Sequence, residues 1–372
     1  MIKTGIIGCG KVGHLHAVAL SKLENSDFVA VCDADIEKAK AFASEYNVAA
    51  FSSITEMIKN TSVEAVSICT PHPIHKVAAV EAIENGLHVA IEKPLASSLE
   101  DCDDIITAVK KYNVVATAIS QRRFYRPSIR LKNAIEEGKI ETPILGIVNL
   151  FGWRTMDYYQ IDSWRGTWQG EGGGVLVNQA PHQLDLLLWY MGEIDELYGT
   201  WETLNHPGLE VEDTALAIIR FKNGALGNIV ASNSQNPALY GNLRIHGSNG
   251  ATLGIQTDSG AMFVAGVSSI LAPPINDEWT IEGEEELLDK WKKEDSDYFN
   301  NSDYMIHYHA CQLDDFLSSI LEKRQPKVTL EDGRRVVELF TAIYRSKRDN
   351  RPIKFPLQPE FSDDFDGRLK KY

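Results

Sequence analysis

Cysteine is scarce and badly spaced for structural work. The five residues, Cys9, Cys32, Cys69, Cys102 and Cys311, form no CxxC pair and no zinc-ligand pattern in 372 residues. That excludes a disulfide framework or zinc module and fits reduced, mostly buried thiols of a cytoplasmic protein. Long apolar runs are missing as well: none approaches the roughly 18–20 residues that span a bilayer. Met1-Ile2-Lys3-Thr4-Gly5-Ile6-Ile7-Gly8 runs straight into an apolar strand and a glycine turn, without the apolar h-region and cleavage site of a signal peptide. Positive charge is outnumbered, 37 Lys and Arg against 52 Asp and Glu, for a net charge of −15. A protein that coats nucleic acid needs clustered cations, so neither nucleic acid nor membrane is an expected partner. Local recognition of a small molecule remains. The sequence also lacks internal repeats and low-complexity tracts.

What is present is an ordinary globular balance, 44% hydrophobic and 24% charged. At roughly 100–200 residues per domain, the length suggests about two domains. The first third alternates strand and helix patterns. Strands are expected at Thr4–Ile7, Phe28–Cys32, Val63–Cys69, His88–Ile91 and Val114–Ile119. Helices are expected at Val12–Leu23, Ile36–Tyr46, His75–Asn85 and Leu99–Tyr112. Such βαβ alternation implies a parallel sheet with helices on both faces. Near Arg126-Pro127 the pattern changes to a helix, Ser128–Glu137, and longer alternating strands at Ile144–Trp153, Leu197–Leu204, Thr214–Phe221, Ala225–Ser232 and Leu239–His246. Asn223-Gly224 reads as a hairpin turn. A mostly antiparallel sheet with one face covered by helices is expected. Asp277–Asp303 reads as an acidic, irregular surface insertion, and two helices, about Tyr308–Glu322 and Leu330–Lys347, close the chain. The expected division is 1–124 and 125–372.

Three motifs carry chemistry. Gly8-Cys9-Gly10-Lys11-Val12-Gly13 follows a strand and opens a helix, and Asp33 stands twenty residues beyond Gly13. That context is the dinucleotide fingerprint: Gly8 for the tight turn, Gly10 for close approach to the pyrophosphate, Gly13 for helix–strand packing. The phosphates would sit on the helix N-terminus with Lys11 and Val12. Asp33, with Asp35 nearby, suits the adenosine ribose hydroxyls and would repel a 2′-phosphate, so NAD is expected over NADP. Glu92-Lys93-Pro94 follows a strand at the sheet's C-terminal edge, where Lys93 suits a proton relay or electrostatic anchor beside the cofactor. Pro94 restricts the Lys93 backbone.

The third motif runs from Gly172-Gly173-Gly174 to Trp189. Asn178 and His182 are four apart, with Asp185 three further on, so a helix would align them. Pro181 suits a first helical turn, which puts Asn178 in the lead-in. His182 is then a second acid/base and Asp185 the partner that orients its ring. Trp153, Arg154, Tyr158, Tyr159, Trp164, Arg165 and Trp168 crowd between the first long strand and the glycine triplet. Aromatic faces pack on sugar C–H surfaces while Arg and Asn read hydroxyls; buried core aromatics are the competing reading. Arg123 is a further candidate ligand. His307 and His309 lack an accompanying carboxylate or cysteine pattern, and no metal is expected.

With GIIGCGKVG, the CTPHPIH turn, AIEKPLA, the QRRF segment and GGGVLVNQAPHQLDLLLW assembled, the chain resembles the Gfo/Idh/MocA oxidoreductases over nearly its whole length. The resemblance implies a Rossmann domain and an α/β domain whose open sheet often forms dimer or tetramer interfaces. It implies NAD-dependent, reversible oxidation of a hydroxyl on a sugar, glycoside or cyclitol, in several relatives at C3 of a hexose. It makes Lys93 and His182 catalytic and sets Thr70, Pro71, His72, His75 and Glu92 near the cofactor, with loop or cap roles open for the two histidines. Asn178 stands where many members carry aspartate; it cannot titrate, so it is expected to hold a hydroxyl. A reductase, an enzyme recycling tightly held NAD, and a non-catalytic NAD-binding regulator remain the alternatives.

Overall fold

The computed structural model describes residues 1–259, 272–360 and 365–369. The chain forms two compact units, one from residues 1–121 with 303–334, the other from 122–302 with 335–372.

In the first unit the strands are β1 (Ile2–Ile7), β2 (Ser26–Cys32), β3 (Ala49–Phe51), β4 (Ala65–Ile68), β5 (His88–Ile91) and β6 (Ala116–Ala118). They alternate with α1 (Lys11–Lys22), α2 (Ile36–Tyr46), α3 (Ile54–Asn60), α4 (His75–Glu84) and α5 (Leu99–Tyr112). All strands pair in parallel, in the order β3-β2-β1-β4-β5-β6. Every residue of β4 is buried, as a strand covered on both faces requires. The helices carry their own stops: Ser98 caps α5 through the Asp101 N–H, and Asn113 ends it in the left-handed region. The strand order reverses between β1 and β4, the switch point where open α/β sheets bind ligands. The sequence reading passed over β3 and α3.

The second unit opens with α6 (Arg126–Glu136), β7 (Pro143–Phe151), α7 (Met156–Gln160), α8 (Trp168–Glu171), α9 (Val175–Asn178) and α10 (Pro181–Met191). It continues with β8 (Ile194–Glu202), β9 (Thr214–Phe221), β10 (Leu226–Ser232), β11 (Tyr240–Gly247), β12 (Thr252–Ser259), β13 (Ile275–Trp279) and α11 (Leu287–Asn300). With β14 (Ile353–Lys354) these strands make an eight-stranded sheet, β13-β12-β11-β7-β10-β9-β8-β14. Only β7 and β10 pair in parallel; the other neighbours are antiparallel, as expected for this half. The Asn223-Gly224 turn joins β9 to β10, with Gly224 at φ +89. Helix α10 lies so close to β7 that a Cβ on Gly146 would meet Met191 and Leu187 below 3 Å. The opposite face leaves Tyr198, Leu216, Ile218 and Leu226 exposed.

Two expectations are corrected. Asp277–Asp303 is not an irregular insertion: it contains the end of β13 and the fourteen-residue α11. Buried Asp295 takes both Arg130 nitrogens, at 2.6 and 3.0 Å, and Trp291 meets Trp279 edge-on at 4.9 Å. Its few apolar residues lie on one face, and the surrounding charges hid it. The boundary also differs from a single cut at 124/125. Helix α12 (Tyr304–Glu322) returns to the first unit, packing Leu313, Phe316 and Leu317 with Ala17, Ala19 and Leu20 of α1. Its Gln312 accepts the Ser120 N–H and donates to Ala118 O, both at 2.8 Å. The final long helix, α13 (Leu330–Asp349), supports β8 in the second unit, where Ser346 Oγ accepts the Gly199 N–H. Among the described residues no helix is long and apolar enough to cross a membrane.

Candidate active site

In the first unit β1 delivers the chain into the glycine turn. Gly8 sits at φ +102, and a Cβ there would lie 2.7 Å from the Cys69 carbonyl and Thr70 nitrogen. A Cβ on Gly13 would lie 2.5 Å from Gly8 O, whereas one on Gly10 would meet no protein atom within 4 Å. Two glycines are therefore demanded by the chain's own packing, and the middle one leaves room for a ligand. Gly10 begins α1 without a side-chain cap, so Lys11, Val12 and Gly13 open a helix whose first N–H groups suit phosphate.

Asp33 follows β2. Its Oδ2 accepts the Cys9 N–H at 2.9 Å and its Oδ1 the Asp35 N–H at 3.0 Å, tying the acid to the glycine turn. Lys38 lies 3.4 Å from Oδ2, a cation that the Asp33–Ile36 segment did not reveal. Asp35 is the α2 N-cap, accepting from Glu37 and Lys38 N–H groups. A glycine turn with space at Gly10, an uncapped helix and an acid at the end of β2 fit a dinucleotide. None of the five cysteines is in a disulfide. Burial, then the neighbouring Asp33 charge, pushes Cys9 up to about 12, so it is no nucleophile.

The Lys93 turn leaves the end of β5. His75, fully buried at the start of α4, has Nε2 2.9 Å from Thr70 O and Nδ1 3.0 Å from Pro94 O. Its ring braces the Thr70-Pro71 loop against the Lys93-Pro94 turn, and burial holds its pKa below the ordinary histidine value. Glu92, given above to the cofactor, lies 2.9 Å from His16 and accepts the Lys93 N–H at 3.0 Å. Lys93 itself is half-buried. His72 is buried in the short 3₁₀ turn that precedes α4.

In the second unit the aromatic segment after β7 folds around one hydroxyl. Tyr158 Oη accepts from Arg165 Nη1, from Asn178 Nδ2 at 3.3 Å and from Gln179 Nε2 at 3.2 Å. The Arg165 guanidinium lies over the Tyr158 and Trp164 rings at 4.4 and 4.3 Å, and that of Arg154 5.4 Å from the Tyr158 ring. Burial raises the Tyr158 pKa and lowers that of Arg154. Asn178 also donates to Glu171 Oε1, while Glu171 Oε2 accepts the Gly166 N–H at 2.7 Å. Tyr159 accepts from Asn233 at 3.3 Å. The half-buried Trp153 ring lies 6.3 Å from that of His206, which bridges Asp213 and Arg154 O at 2.8 Å each. Trp168 is core: it packs edge-on to Trp201 and Tyr344.

Pro181 takes the first turn of α10, His182 follows it, and Asn178 ends the separate helix α9. Asp185, offered as the partner of His182, receives Arg123, Nε to Oδ2 at 2.8 Å and Nη2 to Oδ1 at 2.6 Å. This bidentate, buried pair also commits Arg123, which the sequence suggested as a substrate ligand. The glycine triplet is tight against protein: Cβ atoms on Gly173 and Gly174 would strike Tyr344 Oη and Glu212 O. Glu212 was missed. Its carboxylate accepts the Gly174 and Leu176 N–H groups at 2.8 and 2.9 Å, setting the start of α9, and burial pushes its pKa up to about 7. Arg368 donates to Gly172 O at 2.6 Å. The one local signal for this support was the Glu212-Asp213 pair at the head of an otherwise apolar strand.

Residues 2–119 match the model of an oxidoreductase family with an NAD-binding Rossmann fold, and residues 132–355 match its C-terminal α/β domain. The myo-inositol 2-dehydrogenase of Thermotoga maritima is 27% identical over 363 residues, 95% of this chain and 98% of that protein. An uncharacterized oxidoreductase of Bacillus subtilis is 30% identical over 246 residues, 64% of this chain and 69% of its own. Among solved structures, the WlbA dehydrogenase from Bordetella pertussis in complex with NADH and UDP-GlcNAcA has a TM-score of 0.80 at 28% identity, covering 96% of this chain and 99% of that one. The glycine turn, the Lys93 turn and the two matched domains agree: the chain is an NAD-dependent oxidoreductase and belongs to the Gfo/Idh/MocA family.

Proposed function

We propose that the protein oxidises a secondary hydroxyl of a sugar, glycoside or cyclitol, at C3 where the substrate is a hexose ring. The observation that carries this reading is the spacing along the first unit's sheet edge. Asp33 follows β2, the glycine turn follows β1, and Lys93 follows β5, with β4 between. Three inter-strand spacings of about 4.8 Å separate β2 from β5, roughly 14 Å. A dinucleotide with its ribose at Asp33 and its pyrophosphate on α1 runs its other end toward the Lys93 turn. The relatives named above for inositol and for a nucleotide sugar support the substrate class.

NAD, when bound, supplies the hydride acceptor. Gly8, Gly10, Lys11, Val12 and Gly13 hold its phosphates, Asp33 its ribose, and Thr70, Pro71 and the His75 brace shape the neighbouring loop. Lys93 Nζ takes the hydroxyl proton, and His182 is the second unit's own acid/base candidate. Asn178 holds a hydroxyl, with Arg154, Tyr159, Trp153, Trp164 and Arg165 as the wall. The exposed apolar face of the eight-stranded sheet supports a homodimer or homotetramer.

The test is NADH absorbance with NAD and a panel of hexoses, inositols, aminosugars, uronates and glycosides. Lys93→Ala should cut turnover by roughly 10²–10⁴-fold while NAD still binds. Near-normal turnover would remove Lys93 from the chemistry. Firm NAD binding without NADH release on any substrate would instead favour cofactor recycling or a regulator.

A further inference from the structure

Glu92 is almost dry, 7% exposed, and directly precedes the lysine assigned above to proton transfer. Within the first unit, groups from distant parts of the chain converge on its carboxylate. Oε2 accepts the Lys93 N–H at 3.0 Å. Oε1 lies 2.9 Å from His16 Nε2 on α1 and 3.8 Å from His309 Nε2 on α12. An ionised carboxylate only accepts, so His16 Nε2 donates to it. His309 Nδ1 donates to Met305 O at 2.7 Å, and the two imidazoles meet edge-on at 5.4 Å.

Burial pushes the Glu92 carboxyl upward, but the His16 hydrogen bond and the charges of His16, His309 and Lys93 outweigh it and leave the pKa at about 2. Burial, then His16, pushes His309 down to about 4. Two further groups feel the carboxylate: the Cys69 thiol after β4, pushed well up first by burial, and His75 on α4, pulled down by burial. A buried ion is costly to keep, and hydrogen bonds alone do not require one. A glutamine amide could accept from Lys93 N–H or His16 and offer its own N–H to His309 Nε2. What glutamate adds is charge.

We propose that Glu92 is the positioning residue and fixed counter-charge of Lys93, held by His16 and His309, and that it sets the pH range over which Lys93 exchanges its proton. The ligand atoms of His16, Glu92 and His309 lie within 4.8 Å of one another, so a cation is the competing occupant. A ring nitrogen that donates to the carboxylate has no lone pair left for a metal, which favours the hydrogen-bonded cluster.

The inference rests on the Lys93 reading, and the experiment separates the two. The pH–rate profile of the NAD-dependent oxidation is measured for the full-length protein and for Glu92→Gln, Glu92→Asp and Lys93→Ala, with NADH titration as the check on folding. Removing the nearby negative charge should move the limb governed by Lys93 acid-ward by about 1 unit in Glu92→Gln. Glu92→Asp should restore the original limb. Where Glu92→Gln does not fold, His16→Asn, which keeps the carboxylate but removes the imidazole that offsets its charge, should give a smaller shift of the opposite sign. Loss of turnover in Lys93→Ala without any limb shift in the folded Glu92 or His16 variants overturns this inference alone. Normal turnover in Lys93→Ala overturns the reading beneath it. Stoichiometric metal in the purified protein, lost in Glu92→Gln, overturns the counter-charge and makes the cluster a metal site.

Discussion

The Arg123–Asp185 pair allows a sharp test of what holds helix α10. Both side chains are buried, 7% and 5% exposed, and joined by two hydrogen bonds. At an effective dielectric of about 20, two unit charges 4 Å apart attract by about 4 kcal/mol, similar to what their desolvation costs. The pair as a whole should therefore add little net stability, while a broken pair strands a charge. Arg123→Met should cost about 3–5 kcal/mol, and the double variant Arg123→Met/Asp185→Leu should recover to within about 1 kcal/mol of the parent. All seven tryptophans lie between residues 153 and 291, so their fluorescence during urea unfolding reads the second unit alone. Trp189, 5.4 Å from the Arg123 guanidinium, sits beside the change. Thermally, the single variant should lose roughly 6–20 °C at about 2–4 °C per kcal/mol. The double variant should also keep its turnover, because Arg123 is a strut in this account. A single variant costing less than about 1 kcal/mol, or a double variant no more stable than the single, refutes the reasoning. Stability regained without activity would make Arg123 a substrate ligand after all.

Other expectations follow from features of both units. Gly10→Ala should leave the melting temperature unchanged yet weaken NADH binding, because its Cβ meets no protein atom. Gly13→Ala should lower both, losing about 1–3 kcal/mol as its Cβ strikes a backbone oxygen, by calorimetry and NADH titration. The Glu212 carboxyl is held by burial at about 7 against an ordinary 4.5, so the native state binds its proton more tightly than the unfolded chain. Stability should fall between about pH 4.5 and pH 7 by on the order of 3 kcal/mol, then level off. Glu212→Gln should flatten that slope in urea midpoints, and an unchanged slope would clear Glu212 of the effect. Ile218→Glu, in the middle of the exposed sheet face, should shift light scattering toward the monomer if that face joins subunits.

The parallel half was readable because strands covered on both faces are continuous apolar runs and their helices keep a regular period. Helices α2 and α5 and strand β5 match their expected bounds. Short β3, with one exposed and two half-exposed residues, carries no such run. Helix α11 was invisible because its stability comes from partners over 140 positions away in sequence, Arg130 on Asp295 and on the Trp291 ring. The same distinction holds at the site. Motif spacing singled out Lys93, His182 and the glycine turn, but not what holds them. His16, His309 and Glu212 reach their partners across 76, 217 and 38 residues, and no local pattern encodes such meetings.

The return of α12 to the first unit has a consequence for biogenesis. Residues 1–121 are made well before the helix that seals α1 with Leu313, Phe316 and Leu317. Until that stretch leaves the ribosome, the apolar side of α1 has no cover, and nascent chains stalled earlier should engage chaperones or aggregate. A chimaera that transplants the first unit between relatives must therefore carry residues 303–334 along with residues 1–121.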